Sequence, residues 1–362
     1  MKSRKGIWPF LALCIISDLM NWVTYEKKFR EKAYSEYRYL DAIIEMLLGY
    51  AKPIISNGFP IIFSLEHFSR LVGYKTTYIR RAIKSNRGRY FYKNYFIKKK
   101  SGDGYRNIME PLPSLKEIQS WILRNILNND KNISRYAKAY IKNRSIRDNA
   151  KYHLKQVLVV NYDIKDFFPS ITTNHIYEYF FSLGYGALIA DFLTKICTLD
   201  NSLPQGAPTS PMLSNIILYK TDKAFQRYAN AHHIMYTRYA DDLTFSGNIN
   251  IDQLTNVVKE ELSRLGLKIN QNKFKVMRPH QAQLVTGIIV NEKLQAPRKK
   301  RKALRLQVYY IKKFGLNNHL KRIKEDRVEY LNHLIGIANG FLFLNPSDIE
   351  IKKYREFLIS LK

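Results

Sequence analysis

The sequence predicts an α+β fold, in which an antiparallel sheet near the middle of the chain is followed by a helical region. Three observations lead to this prediction. Residues 157–163 form an apolar, β-branched run that is typical of a buried strand. Residues 234–246 form a second apolar stretch, which an acidic pair interrupts as in a β-hairpin. Beyond residue 291 the spacing of apolar residues is helical to the end of the chain.

Composition restricts the kind of function that such a fold serves. Of 362 residues, 46% are hydrophobic, so the chain can bury a large core. The 60 Lys and Arg residues against 30 Asp and Glu give a net charge of +30, which indicates a polyanionic partner rather than only a solvated basic surface. The two cysteines, Cys14 and Cys197, are too few for a disulfide framework or a cysteine metal site. We therefore expect free thiols in a reducing cytoplasm.

The first residues resemble a signal peptide without completing one. A basic start, residues 1–5, precedes an apolar run, residues 6–16. Asp18 ends that run, no small-residue cleavage site follows, and the run is too short to span a bilayer. We expect either an N-terminal helix or sequence upstream of a true start at Met20, and no membrane role.

Helical patterns come next. Residues 25–51 carry apolar positions at helical spacing. Ser64 is a suitable N-cap for a helix over residues 65–71, and Gly73 separates that helix from a second one over residues 76–83. Such a pair is either a DNA-reading helix-turn-helix or two packed helices that serve only the fold.

A β-hairpin is predicted over residues 92–111. Basic and apolar residues alternate there around a turn at residues 101–104. Four of the hairpin's cations either bind phosphate or form a solvated charged face: Lys98, Lys99, Lys100 and Arg106. An amphipathic helix is expected after it, over residues 115–127.

Three acids are the candidate reactive groups. The strand over residues 157–163 ends at Asp163, and the predicted hairpin places Asp241 and Asp242 at its tip. An isolated acidic pair in a turn usually serves only solubility. A buried charge, however, is costly unless it is paired or binds metal. Three such carboxylates suit two divalent ions about 3.5–4 Å apart, an arrangement used for phosphoryl transfer, and oxygen ligands favour Mg²⁺.

Several motifs resemble those of a known family. The stretches at 163–168 (DIKDFF), 203–211 (LPQGAPTSP) and 239–242 (YADD) occur in the order found in the palm of a reverse transcriptase. Residues 149–153 match the NAxxH signature of retron reverse transcriptases, and residues 285–287 match their VTG signature. The resemblance covers roughly residues 92–290.

The resemblance implies a right-hand polymerase with fingers, an antiparallel palm sheet and a helical thumb. The expected divisions are an N-terminal helical region with the fingers base (1–90), fingers (91–155), palm (156–290) and thumb (291–362), with a fingers excursion at about 171–205. The paired helices over residues 65–83 would then be packed helices of the fingers base. Breaks in the helical thumb are expected at Gly315 and Gly340.

The resemblance also implies the chemistry. Asp163, Asp241 and Asp242 would be catalytic in template-directed addition of deoxynucleotides. Two Mg²⁺ ions would be bound by the metal-binding residues Asp163, Ile164, Asp241 and Asp242.

Further residues are implied for the incoming nucleotide. Arg106 would contact its triphosphate in bidentate fashion. Phe168 would lie under the sugar and exclude a ribose 2′-OH, unless the ring only packs in the core. Gln205 would lie over the nucleotide, and Gly206 would let the backbone approach the template. Lys273 would lie near the leaving pyrophosphate, unless it is an ordinary surface lysine.

A final set is implied for RNA. His153 would otherwise be a packing histidine, and the basic run at 298–302 would otherwise be a localisation signal. Residues 285–290 are expected to form one strand. The implied RNA-binding residues are Asn149, His153, Val285, Thr286, Gly287, Arg298, Lys299, Lys300, Arg301 and Lys302.

Retron enzymes copy a structured noncoding RNA, prime from a 2′-OH within it, and act in antiphage defence with an effector protein encoded nearby. The resemblance implies the same partners here: the cognate noncoding RNA, its DNA product and deoxynucleotides. The basic residues after 290 lack a strand-borne acidic cluster, so we expect a separate host ribonuclease H to remove the template. The alternatives are an abortive-infection or group II intron type of reverse transcriptase, or a non-catalytic RNA-binding scaffold.

Overall fold

The computed structural model describes residues 21–35, 40–84, 88–98 and 104–362. The predicted N-terminal apolar run and two of the hairpin cations, Lys99 and Lys100, lie outside these ranges. None of the described helices is long and apolar enough to cross a membrane.

The elements are numbered in chain order. The helices are α1 (Trp22–Ser35), α2 (Asp41–Ser56), α3 (Leu65–Val72), α4 (Thr76–Ala82), α5 (Pro113–Asn125), α6 (Ile146–Lys151), α7 (Phe167–Ser170), α8 (Thr173–Ser182), α9 (Ala187–Cys197), α10 (Ser210–Ile217), α11 (Tyr219–Ala231), α12 (Ile251–Ser263), α13 (Arg298–Phe314), α14 (Leu316–Ile323), α15 (Tyr330–Leu344) and α16 (Ile349–Ser360). The strands are β1 (Tyr92–Lys98), β2 (Tyr105–Pro111), β3 (Val159–Asp163), β4 (Met235–Tyr239), β5 (Asp242–Ser246), β6 (Lys275–Met277), β7 (Leu284–Val285) and β8 (Ile288–Ile289).

The chain forms two compact units. The first comprises the described residues up to Ser134 together with 166–220 and 265–267. The second comprises 135–165, 221–264 and 268–362. The second unit therefore contains all four strands that surround the predicted carboxylates.

Helices dominate the first unit, as predicted. The Ser64 side chain caps α3 by accepting a hydrogen bond from the His67 N–H, and Gly73 ends α3 in the left-handed conformation with φ 75°. Strands β1 and β2 form the predicted antiparallel hairpin, with a register from Tyr92↔Pro111 to Lys98↔Tyr105. Most of the hairpin is exposed on both faces.

The second unit is built on a four-stranded sheet in the order β4-β5-β3-β6, and each neighbouring pair is antiparallel. Buried rings of Tyr162, Tyr236 and Phe245 pack on it, with centroids of the last two 4.8 Å apart. The predicted antiparallel sheet and the hairpin with acids at its tip are both confirmed.

Two sequence predictions are wrong. Residues 285–290 do not form one strand: β7 and β8 are a tight hairpin, and its two turn residues, Thr286 and Gly287, have φ of 49° and 79°. Two consecutive positive φ values are what a two-residue hairpin turn of type I′ requires. Gly340 does not break a helix, because it lies inside α15, where one glycine costs only about 1 kcal/mol. Gly315, with φ 77°, does end α13.

The C-terminal part of the second unit is helical, as predicted. Helices α13, α15 and α16 share an apolar core, which includes Leu304, Val308, Leu334, Ala338 and Ile351. A separate apolar cluster joins α6, β3 and the β7–β8 hairpin.

Candidate active site

Three carboxylates lie together at one end of the four-stranded sheet. Asp163 is the last residue of β3 and pairs in register with Asp242, the first residue of β5. Asp241 lies in the turn between β4 and β5, next to Ala240, whose φ is 57°. One oxygen of each carboxylate lies within 4.8 Å of the other two. The structure therefore brings together the three acids that the sequence indicated.

Burial and mutual repulsion both oppose the charged form of these acids. Burial raises the pKa of Asp242 to about 7, and the negative charges of Asp241 and Asp163 add to the rise. A divalent cation would relieve this repulsion, and carboxylate oxygens are ligands that Mg²⁺ prefers. The donor set therefore fits a metal site. Within the described ranges it is the one group of acidic, cysteine or histidine side chains close enough to hold an ion.

Asp163 also has two polar side-chain partners. Lys273 Nζ lies 2.7 Å from Asp163 Oδ2, and Asn270 Nδ2 donates to Asp163 Oδ1 at 3.1 Å. Burial works against the charge on Lys273, but its hydrogen bond to Asp163 and the nearby carboxylates outweigh that effect, so the pKa of Lys273 is raised. Lys273 thus places a cation beside the carboxylates. Its predicted contact with a leaving pyrophosphate stays a prediction.

A buried ion pair supports the turn that carries Asp241. Arg238 on β4 donates to Asp222 of α11 from Nε (2.8 Å) and from Nη2 (2.7 Å), and both side chains are fully buried. Arg238 Nη1 also donates to the carbonyl of Ala240 at 3.2 Å. The Ile164 N–H donates to the carbonyl of Asp241 at 3.0 Å. Two consecutive carbonyls of the turn are therefore held in place.

The two polar residues of the NAxxH signature, Asn149 and His153, are buried. His153 contacts one side chain on each strand of the β4–β5 hairpin, with Nε2 2.7 Å from Thr237 Oγ1 and Nδ1 2.7 Å from Ser246 Oγ. Burial lowers the pKa of His153 to about 3, so the ring is neutral. Asn149 Nδ2 lies 3.5 Å from Thr286 Oγ1 in the β7–β8 turn. The two retron signatures therefore touch each other, but neither the imidazole nor the amide lies at a surface.

The remaining residues implied for RNA differ in exposure. Val285 is buried, whereas Gly287 lies in an exposed turn next to the half-buried Thr286. Arg301 is half-buried and paired with Asp348 and with Glu350, the latter at 2.9 Å. Four cations of the basic run at the start of α13 are exposed: Arg298, Lys299, Lys300 and Lys302.

The residues implied for the incoming nucleotide belong to the first unit, apart from Lys273. Arg106 is exposed on β2, opposite Ile97. Phe168 is half-buried in α7, its ring centroid 5.2 Å from that of Phe167. The loop at Gln205 is tied to β2, because the Met109 N–H donates to the Gln205 carbonyl at 2.8 Å.

Gly206 has a steric reason to be glycine. Its φ is 133°, and a Cβ at this position would lie 2.8 Å from the Met109 carbonyl oxygen. Any side chain would therefore force the loop away from β2. The predicted contact of this loop with the template stays a prediction.

Sequence reasoning missed Arg238, Asp222 and Asn270. One signal was available, since an arginine in the apolar run before Asp241 needs a buried partner. The sequence does not say that this partner is Asp222, which lies 16 residues earlier.

Comparisons with known proteins agree with the motifs. A family model described as "Reverse transcriptase (RNA-dependent DNA polymerase)" matches residues 97–334. The retron Ec86 reverse transcriptase of Escherichia coli is 37% identical over 262 residues, covering 70% of this chain and 80% of that protein. The retron Mx65 reverse transcriptase of Myxococcus xanthus is 31% identical over 279 residues, covering 72% and 62%. Among solved structures, a Candida albicans telomerase in complex with a TWJ fragment of telomeric RNA aligns with a TM-score of 0.46 and 10% identity, covering 75% of this chain and 63% of the telomerase.

Proposed function

This chain belongs to the retron reverse transcriptases, and on that premise we propose that it copies a structured noncoding RNA into branched, multicopy single-stranded DNA. Its reaction is RNA-directed DNA polymerisation, and its α+β architecture with an antiparallel sheet is the right-hand fold of that family. The observation that carries the proposal is the cluster of Asp163, Asp241 and Asp242 on that sheet.

The proposed cofactor is a pair of Mg²⁺ ions. Asp163, Asp241 and Asp242, with Ile164 beside them, would hold the ions. When bound, they would supply the Lewis acidity that nucleotidyl transfer needs. The residues of this chain contribute negative charge and a fixed turn. The carbonyls of Ala240 and Asp241 in this turn are both hydrogen-bonded, so the carboxylates do not have to be ordered when substrate arrives.

Four residues are proposed for the deoxynucleotide: Arg106, Phe168, Gln205 and Lys273. The position of Lys273 beside Asp163 supports a role next to the carboxylates. The exposure of Arg106 supports contact with a soluble anion. Replacing Phe168 by Val should raise incorporation of ribonucleotides relative to deoxynucleotides. Unchanged sugar selectivity in single-nucleotide assays would instead assign Phe168 to core packing.

RNA is proposed to bind the exposed cations at the start of α13 and the Gly287 turn. We leave Arg301 out of the phosphate-binding set, because its carboxylate partners already neutralise it. Reversing the charge of Arg298, Lys299, Lys300 and Lys302 should weaken RNA binding and flatten its salt dependence, since fewer counterions are released. The matched control reverses Lys352 and Lys353 of α16. Equal salt slopes for wild type and the α13 variant would contradict this surface.

The biological setting is proposed from the family resemblance alone. We propose 2′-OH priming within the noncoding RNA, removal of copied template by host ribonuclease H, and a role in antiphage defence with an effector encoded nearby. The proposed divisions are fingers at 91–155, palm at 156–290 and thumb at 291–362.

The test uses purified protein, Mg²⁺, dTTP and poly(rA)·oligo(dT), followed by sequencing of the nucleic acid that copurifies with the protein. We expect extension of the oligo(dT) primer and a copurified RNA joined to DNA through a 2′ branch. Extension without any branched nucleic acid would support a reverse transcriptase of another kind. No extension would point to a non-catalytic RNA-binding protein.

A further inference from the structure

The position of the NAxxH signature does not explain the signature through contact with RNA. The signature therefore needs another physical explanation. A side chain that reads RNA has to reach the solvent, whereas His153 is completely buried. Its two ring nitrogens are both used, one by Thr237 and one by Ser246. A direct contact with a nucleotide would require both of these hydrogen bonds to break.

The two partners of His153 lie on different strands of the hairpin that carries the acids. Thr237 is on β4 and pairs in register with Thr244, while Ser246 is the last residue of β5. The imidazole therefore joins the middle of β4 to the end of β5 that lies farthest from the acidic turn. Asp242 begins the strand that Ser246 ends, so the hydrogen bond lies about 13 Å along the same strand from a carboxylate.

The imidazole suits this position better than most side chains would. A neutral imidazole has one donor and one acceptor, and each hydroxyl can play either part. One side chain therefore satisfies two buried hydroxyls, and its loss would leave both unpaired. Burial keeps the pKa of His153 far below neutral, so the ring stays in the form that the arrangement requires.

We propose that His153 is a positioning residue for the β4–β5 hairpin, acting on Asp241 and Asp242 through its hydrogen bonds to Thr237 and Ser246. It fixes how the two strands lie against each other, and with them the direction of the acidic turn. The inference rests on the polymerase function above. It differs from an RNA-binding role in one measurable respect: the effect does not depend on which RNA is copied.

The experiment uses poly(rA)·oligo(dT), a substrate without any folded RNA. His153→Phe keeps a flat ring but removes both hydrogen bonds, whereas the amide of His153→Gln can still donate and accept. We expect kcat per active site to fall about tenfold or more in His153→Phe, with the KM for dTTP within about twofold of wild type. His153→Gln should recover a large part of kcat.

A matched control separates positioning from loss of folding. His67 is a second buried histidine, in α3 of the first unit, and its Nδ1 accepts from the Phe63 N–H at 3.3 Å. His67→Phe should reduce thermal stability but leave kcat per active site unchanged. Active sites are counted by the burst of the first nucleotide, so that unfolded protein does not enter kcat.

A different pattern would overturn the inference. If His153→Phe extends poly(rA)·oligo(dT) at the wild-type rate but fails on the copurified RNA, then His153 serves RNA recognition. If His153→Phe does not fold, Thr237→Val removes one of the two partners in a nearly isosteric way. We then expect a several-fold loss of kcat in Thr237→Val. The double variant with His153→Gln should lose less than the two single losses combined, and additive losses would contradict the proposed link. An inactive wild type would instead count against the polymerase function itself.

Discussion

Two of the β-hairpins in the described part of the chain, β4–β5 and β1–β2, have opposite surroundings. The β4–β5 hairpin is buried along most of both strands and contains a charged arginine, whereas the β1–β2 hairpin is exposed along most of its length and carries its cations into solvent. Arg238 and Arg106 make the contrast plain, because both lie on hairpin strands but only Arg238 is paired and buried. The buried hairpin fixes the position of its acidic turn, whereas the exposed hairpin presents side chains that a ligand can contact.

The largest effect is expected at the tip of the buried hairpin. Asp241→Asn should reduce DNA synthesis about 10³-fold, equivalent to about 4 kcal/mol of transition-state stabilisation, because an amide is a weaker metal ligand than a carboxylate. Thermal unfolding and RNA binding should stay near those of wild type. Asp252→Asn, an exposed change in α12, is the control in primer extension. Near-normal synthesis by Asp241→Asn would remove the carboxylate cluster from the mechanism.

The next effect concerns folding rather than rate. Arg238→Met should lower the free energy of unfolding by about 3 kcal/mol or more, because Asp222 is left as an unpaired buried charge. Adding Asp222→Leu should restore much of that loss, since no buried charge then remains. Urea unfolding measures both variants. Equal stability of Arg238→Met and wild type would show that the two hairpins are not as different as their burial indicates.

A pH effect should follow from the neutral histidine. The pKa of His153 falls from 6.5 in the unfolded chain to about 3 when folded, so the unfolded state binds the proton first. Its contribution to stability is complete above about pH 6.5 and is lost as the pH falls toward 3. Between pH 6.5 and pH 5, protonation linked to His153 should lower the free energy of unfolding by about 1.5 kcal/mol. The drop in unfolding free energy over that range should be smaller in His153→Gln by this amount, and identical pH profiles would contradict a neutral buried ring.

The smallest effect is expected on the exposed hairpin. Arg106→Met should raise the KM for deoxynucleotides about fivefold, or about 1 kcal/mol, with kcat and the free energy of unfolding unchanged. Lys93→Met on β1, another exposed cation of the same hairpin, serves as the control. A loss of stability in Arg106→Met would place this arginine in the same class as Arg238.

The local sequence pattern predicted where the strands of the site end, but it did not predict which residues contact each other there. The apolar run before Asp163 and the interrupted run around Asp241 predicted a strand end and a hairpin tip, because side-chain alternation and turn preference are local properties. The partners of Arg238 and His153 depend on contacts between distant segments, and His153 lies 84 and 93 residues from its two partners. The tight β7–β8 hairpin was missed because Thr286 is an unusual residue for a positive φ. The roles of Phe168, Gln205 and Lys273 stay predictions.

The buried pair of Arg238 and Asp222 also limits how this sequence can diverge. A change of either residue alone would leave an isolated charge in the protein interior. Selection should therefore remove variants with only one of the two changes. Both positions should therefore change together in related genes, or not at all. A replacement pair that also offers a donor to the Ala240 carbonyl should be favoured over an apolar pair, because an apolar pair leaves that oxygen without its hydrogen bond. Among related enzymes, the residues at these two positions should therefore covary.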